Sequence, residues 1–150
     1  MPAARWMVFD TNVYVAALRE GLGGASFGRL EEAAPRTFLA SVVSAELRAG
    51  ALDEAGRRIV GALARRFERL RRVVVPTDGS WNDAGDILAR IARREPSFRT
   101  KVRGLWNDTL IALSARQIGA TLVTENLRDF RLLHRYVRFE LEAAPGAHER

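Results

Sequence analysis

The chain has 150 residues, 47% of them hydrophobic, which suits one compact domain with a real core and argues against disorder. It contains no cysteine, so disulfides, thiolate metal sites and cysteine nucleophiles are excluded. The net charge is +6, and of the 24 basic residues one is lysine, Lys101, and the other 23 are arginine; arginine's bidentate fit to phosphate points to an anionic partner such as nucleic acid or an acidic protein.

The opening residues Met1-Pro2-Ala3-Ala4-Arg5-Trp6 carry no apolar signal-peptide core. No run approaches the roughly 20 apolar residues of a membrane span, so a cytoplasmic protein without membrane association is expected. Trp6 to Phe9 reads as a buried strand, and Phe38 to Ala40, Val73 to Val75 and Thr121 to Val123 read likewise. Runs this short and this uniformly apolar suit a parallel sheet covered on both faces. Val137 to Phe139 reads as a weaker last strand. The glycine-rich stretch from Arg19 to Ser26 reads as a loop.

Helical patterns lie between the strands. Ile59, Leu63, Phe67 and Leu70 recur at spacings of four, four and three, which gives one apolar helix face. Asp78 to Arg94 repeats the pattern through Ala84, Ile87, Leu88 and Ile91, and Ser80 with Asp83 resembles a capping box. Leu105 to Ile118 reads as a further helix that Gly119 ends. Strand and helix alternate, so the expected fold is a three-layer α/β/α sandwich with a mostly parallel sheet of four or five strands. One domain over residues 1–142 and a fraying tail over 143–150 complete the reading.

Ligands of an open parallel sheet bind beyond the carboxyl ends of its strands. Asp10 follows the first strand directly, and Glu46 follows the second, two residues after Ser44, a candidate N-cap. Asp108 opens the Leu105–Ile118 helix, and Thr124, Glu125, Asn126 and Asp129 follow the fourth strand. Carboxylates from four distant parts of the chain can therefore meet on one rim. Their mutual repulsion is most simply relieved by a hard divalent cation. Magnesium takes oxygen ligands and keeps waters while bridging to phosphate, and such an ion activates water against a phosphodiester. Each acid also has a plainer reading: Asp10 as cap of the next helix, Glu46 as a solvated first-turn residue, Asp108 as a helix-start residue.

Four motifs in order resemble those of the PIN-domain family: Val8-Phe9-Asp10-Thr11-Asn12-Val13, Ser44-Ala45-Glu46-Leu47, Asn107-Asp108-Thr109-Leu110-Ile111-Ala112, and Leu122-Val123-Thr124-Glu125-Asn126-Leu127-Arg128-Asp129-Phe130. The last takes the form common among VapC-like toxins of VapBC toxin–antitoxin pairs. The resemblance implies that Asp10, Glu46 and Asp108 ligate Mg2+ or Mn2+, with Asn126 or Asp129 at a fourth position. Thr11, Asn12 and Thr124 would support them through hydrogen bonds. It implies an endoribonuclease, a homodimer, and inhibition by a cognate antitoxin protein.

Arg99, Lys101 and Arg103 belong to a basic run before Asp108 that reads either as solvated surface or as an RNA-contacting loop. The arginines of the 57–72 helix read as solvated or antitoxin-facing. Trp6 and Trp81 read as core, Trp106 as packing or base stacking, and His134 and His148 as surface. No G-x-x-x-x-G-K-[ST] occurs, so a P-loop nucleotide binder is not expected. Asn12 breaks the Asp-x-Asp of a haloacid-dehalogenase phosphatase, and no late lysine exists for a receiver domain. The alternative reading is a catalytically inactive PIN-fold module that binds RNA or protein.

Overall fold

The structure is a computed structural model and describes residues 5–147. The opening Met1 to Ala4, His148 and the end of the expected tail lie outside the described residues. In chain order the elements are β1 (Met7–Phe9), α1 (Thr11–Glu20), α2 (Ala25–Ala33), β2 (Thr37–Ala40), α3 (Ser41–Gly50), α4 (Glu54–Arg69), β3 (Val73–Val74), α5 (Asp78–Arg94), α6 (Trp106–Gln117), β4 (Thr121–Thr124), α7 (Leu127–His134) and β5 (Glu140–Ala143). Short 3-10 turns at Ala34–Arg36, Pro96–Phe98 and Val102–Leu105 link them. Among the described residues no helix is long and apolar enough to cross a membrane.

The five strands form one sheet in the order β3-β2-β1-β4-β5, and every pairing is parallel. With its helices packed against the sheet, the chain is an α/β sandwich, as the strand–helix alternation indicates. The chain winds outward from β1 through β2 to β3, then returns to place β4 on the other side of β1. The order therefore switches direction between β1 and β4, the place where such sheets leave a ligand crevice. Phe9 pairs with Val123 at that switch, and the Asp10 N–H extends the ladder to the Val123 carbonyl at 2.9 Å. The core runs through the same place. Val8, Phe9, Leu122 and Val123 are buried, and α6 is buried along most of its length, from Thr109 to Ala115. A helix enclosed on all sides carries apolar residues all round.

Several expectations need correction. The last strand is Glu140–Ala143 rather than 137–139. Val137 and Phe139 are buried, but in the segment that leads into the strand. The real strand is an edge strand whose Glu140 and Glu142 face solvent and ion-pair with Arg5 and Arg29, so its polar sequence hid it. Ala143, where the tail was expected to begin, pairs with Thr124, and the Ala144 N–H donates to the Thr124 carbonyl at 2.8 Å. The expected loop from Arg19 shrinks to Gly21–Gly24, because α1 runs on to Glu20 and α2 begins at Ala25. The α5 helix is capped one turn earlier than Ser80: the Thr77 hydroxyl accepts the Ser80 N–H at 3.1 Å. Ser44 is no cap either, since α3 already begins at Ser41.

Burial corrects the reading of α4 most. Val60, Ala64 and Phe67 face the core, whereas Ile59 and Leu70 are each 52% exposed. The helix has a wide apolar face; half of it meets the core, and the Ile59–Leu63–Leu70 edge lines an open apolar groove with Tyr14, Leu18 and Phe27. The groove encloses about 470 Å³. The Tyr14 hydroxyl is buried and has no hydrogen-bond partner among the described residues, and burial pushes its pKa up. Trp6 and Trp81 are not core: they are 39% and 52% exposed. Trp6 lies edge-on to Phe38 at 4.9 Å, with the Arg72 guanidinium over its face.

Candidate metal and nucleic-acid site

The sequence places Asp10 directly after the central strand, and the fold buries it at the switch point, 4% exposed. The same side chain caps α1, accepting the Thr11 N–H on Oδ1 at 2.8 Å. Its other oxygen, Oδ2, accepts the Thr124 hydroxyl at 2.7 Å and the Asn12 Nδ2 amide at 3.1 Å. The capping reading and the site reading of Asp10 thus hold together. Thr124 links the two strand ends further by accepting the Asn126 N–H at 2.9 Å, and Asn12 Oδ1 accepts the Glu125 N–H at 3.2 Å. These polar groups are buried or half-buried and mutually satisfied, so they fix the carboxylate rather than merely surround it.

Glu46 arrives from the second turn of α3. Its Oε1 accepts the Thr11 hydroxyl at 2.7 Å, and its Oε2 accepts the Asn107 amide at 3.3 Å. Asp108 arrives from the first turn of α6, where the helix dipole favours a carboxylate. Asp10, Glu46 and Asp108 line one cavity of about 430 Å³, together with Thr11, Asn12 and Asn126.

The charge state of the cavity is unusual. Burial pushes the Asp108 carboxyl up to about 8, and the negative charges of Asp10, Asp129 and Glu46 add to the effect. Burial also raises Asp10 to about 6; its hydrogen bonds from Thr124 and the Thr11 N–H oppose the rise, and the Glu46 charge supports it. Carboxylates pushed toward neutrality chiefly by burial, and further by one another's charge, are the situation that a bound cation relieves.

The fourth position divides. Asn126 lines the carboxylate cavity, whereas Asp129 lines a neighbouring cleft with Lys101 and Arg128. The two are joined, because Asn126 Nδ2 donates to Asp129 Oδ2 at 3.1 Å while Asn126 caps α7. Arg99 and Arg103 are exposed and belong to the lining of neither hollow. His134 is exposed, its Nε2 lying 2.9 Å from the Phe139 carbonyl. Trp106 packs against Trp81 with ring centroids 6.3 Å apart.

Three further residues of the site have no role assigned from the sequence alone. Arg19 is the one cation among the described residues that line the carboxylate cavity. Its signal was present: Asn12, Val15, Ala16 and Arg19 are spaced as one face of α1. Asn107, named only as part of a motif, is a direct donor to Glu46. Glu125 adds a further carboxylate to the lining.

No curated protein sequence matches the chain significantly. Solved structures share its fold, among them the following three. A chain of DNA-bound VapBC from Salmonella typhimurium superposes with TM-score 0.65 at 22% identity, covering 93% of this chain and 98% of that one. VapBC2 from Rickettsia felis, bound to a promoter DNA fragment, gives 0.61 at 24% identity, covering 91% and 97%. FitAcB from Neisseria gonorrhoeae gives 0.61 at 21%, covering 90% and 95%. The PIN domain family model matches residues 7–135, a span that holds all four motifs and every strand but β5, and the chain belongs to the PIN domain family.

Proposed function

We propose that this protein is a divalent-metal-dependent endoribonuclease and the toxin of a toxin–antitoxin pair, with Asp10, Glu46 and Asp108 as the metal ligands. The observation that carries the reading is the convergence of these three carboxylates, from three separate elements, on one cavity at the switch point of the sheet.

The donor set fits a hard cation, since every candidate ligand atom is oxygen. Among the described residues, no group of three acidic or histidine side chains stands close enough to form a ready-made ligand cage. Magnesium takes one or two carboxylates directly and reaches the rest through water, and manganese can mimic it. Bound there, such an ion would lower the pKa of a coordinated water and offset charge on the phosphate. The chain's own residues supply position and charge. Thr124, Asn12 and the Thr11 N–H hold Asp10 in one orientation, and Thr11 with Asn107 holds Glu46. Arg19 offers a cation to the phosphate beside the acids.

The partner reading draws on the same fold. Four of the solved structures that share it are named VapBC2, VapBC, FitAcB and FitAB. The apolar groove between α1, α2 and α4 is suited to an amphipathic segment of a cognate antitoxin. The exposed arginines of α4 complement an acidic segment. A homodimer acting on cytoplasmic RNA completes the proposal.

The test is incubation of a mixed single-stranded RNA pool with the purified protein, in magnesium and in excess chelator. Cleavage in magnesium alone, suppressed by the product of a neighbouring small reading frame, is expected. Binding of RNA with no cleavage under any divalent ion would instead favour the inactive binding module.

A further inference from the structure

A second hollow adjoins the carboxylate cavity. It measures about 190 Å³ and is lined by Phe98, Lys101, Gly104, Leu105, Arg128 and Asp129. The two hollows share a wall, because Asp129 of the cleft accepts a hydrogen bond from Asn126 of the cavity.

The cleft is positive. Neither Lys101 nor Arg128 forms an ion pair among the described residues, and both are exposed. The Lys101 ammonium lies 5.5 Å from the Phe98 ring centroid, a contact that steadies its long stem. Asp129 is the one anion in the wall; it is engaged by Asn126 and sits in the first turn of α7, where the helix dipole favours it. Two cations against one carboxylate leave a net positive charge. A Cβ at Gly104 would meet no atom within 4 Å, so the backbone there is open.

We propose that this cleft binds a phosphodiester adjacent to the one held at the carboxylates, with Lys101 and Arg128 as positioning residues that set the direction and minimum length of the RNA strand. The inference rests on the nuclease reading and deepens it. A strand crossing from the acidic cavity to the cleft meets metal-ligating groups at the scissile phosphate and cations at its neighbour. A dinucleotide with a single phosphodiester engages only the first.

The experiment compares the wild type with Lys101→Ala, Arg128→Ala and the double variant, on a single-stranded RNA of about a dozen nucleotides and on a dinucleotide. Oligomer KM is expected to rise about tenfold per cation removed, with kcat nearly unchanged and dinucleotide cleavage unaffected. Oligomer binding by fluorescence anisotropy should lose about 0.7 of its log–log salt slope per cation, and Lys101→Arg and Arg128→Lys should restore both. Equal losses on oligomer and dinucleotide would mean a structural role and overturn the inference. So would an unchanged salt slope, the deciding reading where the dinucleotide is too poor a substrate to be cut. A wild type that cleaves RNA while all variants match it sinks this inference alone; one that neither cleaves nor binds RNA sinks the nuclease reading with it.

Discussion

Asp10→Asn and Asp108→Asn are each expected to lower magnesium-dependent RNA cleavage on the order of a hundredfold or more, with the fold retained. Asparagine keeps the shape of the side chain; at position 10 its Oδ1 can still accept the Thr11 N–H, while its Nδ2 would have to donate to the Thr124 hydroxyl and gives up the bond from the Asn12 amide. What it removes is a full negative charge from the cavity proposed to hold a cation by charge. Glu46→Gln should follow closely, because Thr11 and Asn107 already orient that carboxylate. Asn126→Ala has no charge to lose; its main cost is the α7 cap, about 1 kcal/mol of stability. Asp129→Asn separates two roles. Asp129 lines the Lys101 cleft rather than the carboxylate cavity, so the expected loss is at most about tenfold. A loss matching that of Asp108→Asn would make it a metal ligand. Single-turnover cleavage of a labelled RNA, with circular dichroism of each variant, reads these outcomes.

The second large effect is on stability, and its sign runs opposite to activity. Asp108 and Asp10 are raised to about 8 and about 6, above the ordinary aspartate value of 3.8. At a pH below that ordinary value both states are protonated and no penalty exists. As pH rises, the unfolded chain releases these protons first while the native state retains them, so the native state loses stability until the folded pKa values are passed. In metal-free buffer the penalty should grow from about pH 4 to about pH 8 and reach on the order of 3 kcal/mol, given the partial exposure of Asp108. Asp108→Asn should therefore be more stable than the wild type at pH 8 and indistinguishable from it at pH 4. Magnesium at a hundred times its Kd should return about 2.7 kcal/mol to the wild type. Urea unfolding across pH, with and without magnesium, measures both. A wild type whose advantage over Asp108→Asn grows with pH would contradict the charge account.

Much of the site was legible because it is written in local signals. A strand followed at once by Asp10, a helix with Asp108 in its first turn and a strand that closes on Thr124 each declare themselves within a few residues, and the parallel-sheet rule alone puts the strand ends on one rim. What stayed hidden depends on long-range packing. The α4 helix has more apolar residues than its core contact needs, and only the fold shows that Ile59 and Leu70 line a groove. β5 is an exposed edge strand with alternating glutamates, so it lacks the apolar run that marks β1 and β4. Trp6 and Trp81 are large enough to be half-covered without being core. The split between Asn126 and Asp129 follows from the first turn of α7, which turns one toward the cavity and the other toward the cleft.

Asp10 and Asp108 are proposed to hold a divalent ion together at the switch point of the sheet. Manganese titration followed by electron paramagnetic resonance tests it without reference to any substrate. The wild type should bind Mn2+ at neutral pH with magnesium as a competitor, while folded Asp10→Asn and Asp108→Asn should lose that binding, by on the order of a hundredfold in affinity. Equal Mn2+ binding by the wild type and both variants, or no binding by any, would contradict the account.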